Sequence, residues 1–104
     1  MNYISNKAAA EEVVKLIEDQ GSSAVAVQGD VTKKEDVERI FNTTAETLGS
    51  VEILVNNAGI ISDSLLMRMS DEDWDSVIDL DLRSIFLCTR EAVRTMVRSR
   101  WGRI

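Results

Sequence analysis

Ile53-Leu54-Val55-Asn56-Asn57-Ala58-Gly59 is the stretch whose reading decides the fold. A short run of aliphatic and β-branched residues passes directly into two amides, a small residue and a glycine. The apolar run has the composition of a strand buried on both faces, the kind found in parallel sheets. The amides at its C-terminal end can hydrogen-bond backbone or ligand, and Gly59 allows the chain to turn and another group to approach closely. Open α/β sheets bind ligands just beyond the carboxyl ends of their strands. The segment is therefore expected to floor a ligand crevice. The plainer alternative is a buried strand that ends in an Asx-type turn and binds nothing.

Working outward, helix and strand patterns alternate. A helix is expected from Lys7 to about Gln20, with Asn6 or Ser5 as N-cap, Gly21 past its end and Ala10, Val13, Val14 and Ile17 on one face. A strand over Ala24–Gln28 leads into Gly29-Asp30-Val31. Thr32-Lys33-Lys34-Glu35 has the form of a capping box and predicts a second helix, burying Val37, Ile40, Phe41, Ala45 and Leu48 and ending at Gly49. Ser70-Asp71-Glu72-Asp73 caps a third helical region carrying Trp74, Val77 and Ile78. It is expected to continue past a bend through Phe86, Ala92, Val93 and Val97 to about Arg100, with Gly102 beyond. Strands alternating with helices of this length predict an α/β fold, a doubly wound parallel sheet between helical layers. Tyr3-Ile4 has the character of a strand end and Gly102-Arg103-Ile104 that of a strand start. Residues 1–104 are accordingly expected to form one partial domain, the internal segment of a larger one.

Composition narrows the function. The net charge of -6 argues against nucleic acid or an anionic membrane as the main partner. With 29% charged residues, no apolar run is long enough to span a bilayer. There is no histidine and one cysteine, which removes the commonest general base and any His- or Cys-based metal site. Cys88, within Ile85-Phe86-Leu87-Cys88, is expected to be a buried small hydrophobe, in keeping with a reducing compartment such as the cytoplasm or plastid stroma.

Four local patterns fall in order: Gly29-Asp30-Val31-Thr32 after one strand, Asn56-Asn57-Ala58-Gly59 after the next, Leu65-Leu66-Met67-Arg68-Met69 with Trp74-Asp75-Ser76-Val77-Ile78-Asp79, and terminal Gly102-Arg103-Ile104. Together they resemble the short-chain dehydrogenase/reductase family. The Leu65 and Trp74 runs are similar to its bacterial and plastid 3-oxoacyl-[acyl-carrier-protein] reductases. The resemblance covers essentially the whole chain, whereas a complete family member is more than twice as long.

The resemblance implies an incomplete Rossmann-like domain that holds NADP and takes part in NADPH-dependent reduction of a 3-oxoacyl thioester on acyl-carrier protein. Asp30 and Val31 would flank the adenine. Asn57, Ala58 and Gly59 would line the path from ribose to nicotinamide, and Ser5 would lie near the adenosine 2′ position. Neutral Asn2, Ser5 and Asn6 with basic Lys7 would suit the 2′-phosphate of NADP, where NAD-specific folds place an acid. The family's catalytic asparagine is matched by Asp81, which has no amide hydrogen to donate and adds negative charge. An acid at this position would otherwise pair with an arginine, Arg83 being poorly spaced for it.

The family's glycine-rich phosphate turn would precede Met1, and its catalytic serine and tyrosine/lysine pair would follow Ile104. Tyr3-Ile4-Ser5-Asn6-Lys7 has the tyrosine-lysine spacing, but with Tyr3 ending a strand and Lys7 opening a helix it is taken as a chance match. The strand that would lie between Tyr3-Ile4 and Ile53–Asn56 is not among these residues, so unpaired inner edges are expected. A homo-oligomer or larger assembly is expected to cover them, with Arg94–Trp101 a candidate interface. The alternative to the reductase reading is a non-catalytic structural or interaction subunit. A small flavodoxin-like binding module is a weaker third.

Overall fold

The computed structural model describes residues 1–104. Strand β1 (Asn2–Tyr3) leads through a short bend into helix α1 (Lys7–Asp19), then strand β2 (Val27–Gln28) and helix α2 (Lys34–Leu48). After Ile53 the chain runs irregularly to a single 3₁₀ turn at Leu66–Arg68. Helix α3 (Asp71–Ile78), a π-helical turn (Asp79–Arg83) and helix α4 (Ser84–Ser99) follow without interruption. The strands are parallel, as expected: Asn2 pairs with Val27 and Tyr3 with Gln28, and Ile53 bridges Arg103 in the same sense. The α/β architecture thus takes the form of two separate half-sheets.

Local chemistry places most element ends. The Asn6 side chain accepts from the Ala9 N–H at 3.1 Å and so caps α1, while Ser70 Oγ accepts from the Asp73 N–H at 3.1 Å and caps α3. The capping box at Thr32 does not form. Thr32 donates its hydroxyl to Asp30 Oδ1 at 2.7 Å, leaving Lys33 as an N-cap without a side-chain bond, and α2 begins at Lys34. The Thr32 hydroxyl is held toward the Asp30 carboxylate, upstream of the helix, and accepts from no helix N–H. At the far end, Arg100 rather than a glycine adopts the left-handed conformation, φ 55°, that closes α4. Gly102 serves a different need, since a Cβ there would collide with the Met96 side chain.

Burial departs further from the sequence expectations. The strand reading of Ile53–Asn56 predicts cover on both faces, yet Ile53 is 61% and Val55 76% exposed and only Ile53 is paired. On α1, Ala10 is buried but Val13 is exposed. On α2, Val37 is buried, Ile40 and Phe41 are half-buried, and Ala45 and Leu48 are open. The common cause is a missing neighbour: each apolar face has the pattern of a wider sheet than two short strands and one bridge supply. What core exists is a cluster of Val31, Val37, Leu87 and Cys88, with Ile40, Phe41, Leu54 and Leu80 packed around it. Met96 turns inward at 7% exposure while Val97, next to it, stands 67% exposed, so one side of α4 packs and the other does not.

Val37, 1% exposed, is the largest fully buried side chain, whereas Leu66 is open to solvent. Val37→Ala is expected to lower the unfolding free energy by about 2 kcal/mol. Leu66→Ala should change it by less than ~0.5 kcal/mol. Urea denaturation of the three proteins under one condition checks both values.

Candidate functional site

A cavity of about 480 Å³ opens between the two half-sheets. Met1 and Asn2 border it on one side and Leu54 to Ala58 on the other, with Val31, Val37, Ile40, Phe41, Ser84 and Cys88 completing the wall. Three of the sequence-derived site residues, Val31, Asn57 and Ala58, therefore meet on one surface beyond the strand ends. Asp30 adjoins them through Val31. Gly59, Ser5 and Asp81 do not line the cavity.

Asp30 is the electrostatic centre of the β2–α2 turn. Its Oδ1 accepts from both the backbone N–H and the hydroxyl of Thr32, at 3.0 and 2.7 Å, and its Oδ2 lies 3.5 Å from Lys33 Nζ. The Thr32 bonds, with Lys33 adding less, hold the Asp30 carboxyl below the usual carboxylate range. Its own N–H donates to Asp36 Oδ2 at 2.8 Å. That bond, followed by the Arg39 guanidinium 2.8 Å from Asp36 Oδ1, lowers Asp36 as well. Arg39 also donates to the Gln28 carbonyl at 2.7 Å and so ties α2 to the end of β2. Asp30 remains ionised and partly exposed. A carboxylate offers about four acceptor sites, so it retains capacity for an incoming amine.

Gly59 admits a close neighbour, and that neighbour is Asp81. Asp81 Oδ1 accepts from the Ile60 N–H at 2.9 Å, and a Cβ on Gly59 would sit 3.4 Å from the same oxygen. Asp81 reaches the loop from within the π-helical turn, the kind of irregularity that re-aims a side chain. Ser84, at the end of the same turn, is buried and gives its hydroxyl to the Leu80 carbonyl. Arg83 pairs with Asp79 at 3.6 Å, so the acid at position 81 braces a loop and has no arginine partner. The Asp81–Ile60 contact has no sequence signature, because 21 residues separate the partners.

Ser5 lies exposed in the bend after β1, with no hydrogen bond from its hydroxyl. Asn6 is spent on the α1 cap and Lys7 pairs with Glu11 at 3.3 Å. Tyr3 in β1 and Lys7 at the start of α1 do not share a helix face, so their spacing has no catalytic meaning. Toward a dinucleotide, the residues fit one half only. Asp30, Val31, Asn57 and Ala58 can border an adenosine, while the chain contains no glycine-rich turn whose N–H groups could cradle a pyrophosphate.

The chain is similar to known proteins in sequence and in fold. Residues 2–104 match the family model described as short chain dehydrogenase. A 3-oxoacyl-[acyl-carrier-protein] reductase of Synechocystis sp. is 42% identical over all 104 residues, and one of Staphylococcus epidermidis is 41% identical over the same length. The chain spans 42% and 43% of the lengths of these two curated relatives. In three dimensions, 89% of the chain superposes on a short-chain dehydrogenase/reductase mutant of Serratia marcescens with a TM-score of 0.86 and 25% identity, covering 38% of that protein.

Two outcomes test the site. Because the Asp30 and Asp36 carboxyls titrate lower when folded, their contribution to stability is complete above the unfolded value near pH 4. It is lost as pH falls through the lowered folded values. Asp30→Asn should therefore flatten the acid limb of a melting-temperature profile recorded by circular dichroism, and an unchanged limb would contradict the assignment. Asp81→Asn keeps an acceptor oxygen and should preserve protection of the Ile60 amide in hydrogen exchange. Asp81→Ala should expose that amide and cost about 1 kcal/mol.

Proposed function

The chain belongs to the short-chain dehydrogenase family, and on that premise we propose that it supplies the adenosine-side wall of the dinucleotide site in an NADPH-dependent 3-oxoacyl-[acyl-carrier-protein] reductase. The observation that carries this reading is the meeting of Val31 with Asn57 and Ala58 on one cavity, with the ionised Asp30 beside it. In this assignment Asp30 accepts from the adenine amine and Val31 flanks the ring. Asn57 and Ala58, with Gly59 at the edge, line the way toward the nicotinamide. Ser5 approaches the 2′ position, where the absence of an acid at Asn2, Ser5 and Asn6 favours NADP over NAD.

The bound cofactor would supply the hydride that converts a 3-oxoacyl thioester to its 3-hydroxy form. This chain's own residues hold and orient, and none of them is placed to protonate the substrate oxygen. Asp81 stands at the family's catalytic asparagine position but acts here as a positioning residue, fixing the backbone after Gly59 through the Ile60 N–H.

A second reading, a non-catalytic subunit of an assembly, draws on the outer side of α3 and α4. There Leu82, Phe86 and Val97 are exposed on a shallow apolar groove rimmed by Arg83, Arg90, Arg94 and Arg98. A surface of that kind favours self-association. For the 104-residue chain, titration with NADPH should show affinity no tighter than about 1 mM, with no NADPH oxidation on adding an acetoacetyl thioester. Submillimolar binding with turnover would remove the non-catalytic reading. Light scattering should give a mass above the 11.6 kDa of one chain, and a monodisperse single-chain mass would remove the self-association.

A further inference from the structure

The peptide unit joining Gly29 to Asp30 is bonded at both of its ends. Gly29 is buried, and a Cβ added to it would meet Ile40 Cδ1 at 2.8 Å, so glycine here lets α2 lie close to the end of β2. That closeness has a side effect. Glycine leaves its own backbone torsions soft, and the peptide plane that follows can turn about them. Any such turn moves the Asp30 nitrogen, and with it the direction in which the Asp30 side chain leaves the backbone. Two side chains oppose the turn. The N–H of the plane, that of Asp30, donates to Asp36 Oδ2 at 2.8 Å. Its C=O, that of Gly29, accepts from Asn2 Nδ2 at 2.9 Å and from no backbone N–H.

Asn2 Nδ2 also donates to the Val27 carbonyl at 3.2 Å and lies 3.4 Å from that of Tyr3. All three partners only accept, so the amide nitrogen and not the amide oxygen must face them. Asn2 lines the same cavity as Val31, the residue after Asp30. We propose that Asn2 is a positioning residue for base selection: with Asp36 it clamps the Gly29–Asp30 peptide, so that the Asp30 carboxylate meets the 6-amino group of an adenine at a fixed angle. The assignment rests on the adenosine reading above and adds the source of its selectivity. Thr32 holds the carboxylate from downstream, and Asn2 holds the backbone from upstream. Without the upstream bond the apolar wall remains and the preference for an amine is lost. If Asn2 did no more than satisfy a buried carbonyl, its removal would lower stability and leave base preference unchanged.

The test compares adenosine 5′-monophosphate with purine riboside 5′-monophosphate, which lacks the 6-amino group, by NMR titration of the 104-residue chain. The adenosine nucleotide should bind about tenfold tighter, the worth of one hydrogen bond to a charged group. Asn2→Leu is close in size but has no donor. It should cut that ratio to about twofold or less while the affinity for purine riboside 5′-monophosphate changes little. Equal weakening of both nucleotides, or an unchanged ratio, would overturn the clamp and leave the adenosine reading standing. No preference in the unaltered chain would overturn both. Two measurements need no nucleotide. In a carbon-13 titration, the Asp30 carboxyl of Asn2→Leu should rise toward the ordinary carboxylate value as its Thr32 bonds loosen, and an unchanged titration would count against the clamp. In the unaltered chain the Asn2 side-chain amide protons should exchange slowly with solvent. Rapid exchange would overturn the clamp even if Asn2→Leu fails to fold.

Discussion

No backbone hydrogen bond joins the half-sheet built on β1 and β2 to the one built on Ile53 and Arg103. What holds them in one molecule passes through the contact of α2 with α4, where Val31, Val37, Leu87 and Cys88 form the buried cluster. Hydrophobic contact of this kind is non-directional. It fixes proximity more firmly than register, whereas a sheet ladder fixes both. The cavity between the halves, the exposure of Ile53 and Val55 and the open faces of α1 and α2 all follow from a sheet whose continuity is carried by four side chains.

The parts legible in sequence are those whose causes are local. Asn6 and Ser70 cap helices because their side chains reach N–H groups three residues on, and the strand-ending role of Asn57-Ala58 follows from the abrupt loss of apolar residues after Val55. The parts that were not legible depend on distant neighbours. Thr32 satisfies a capping pattern as it stands in the sequence, yet Asp30 takes its hydroxyl. Ile53–Val55 has a buried strand's composition, but burial is conferred by the strands and helices alongside. At the site, Val31 with Asn57 and Ala58 follows from the rule about strand ends. The Asp81–Ile60 bond could be found only once the chain was folded.

The site shows a related division of labour. Asp30 and Asp36 form a local network with Thr32, Lys33 and Arg39 that holds the β2–α2 turn in one conformation and keeps both carboxylates charged. Across the cavity, the Asn56–Gly59 segment has no regular pairing and relies on Asp81 to brace its far end. One wall is tied by bonds within its own turn, and the other by a side chain of the distant π-helical turn. Chemistry that spans the cavity needs groups held in a fixed relation across both walls.

The π-helical turn at Asp79–Arg83 changes the phase of a helix that otherwise runs from Asp71 to Ser99. One residue of an α-helix corresponds to about 100° of rotation, and a π turn accommodates an extra residue without breaking the rod. Upstream and downstream segments are therefore read in two different angular frames. Removing a single residue from the turn would restore one frame and leave Leu87, Cys88, Ala92 and Met96 on the core side, but it would withdraw the bulge that aims Asp81 at the Ile60 N–H. The length of that turn, to the residue, is an indexing element that decides whether Asp81 meets the loop after Gly59.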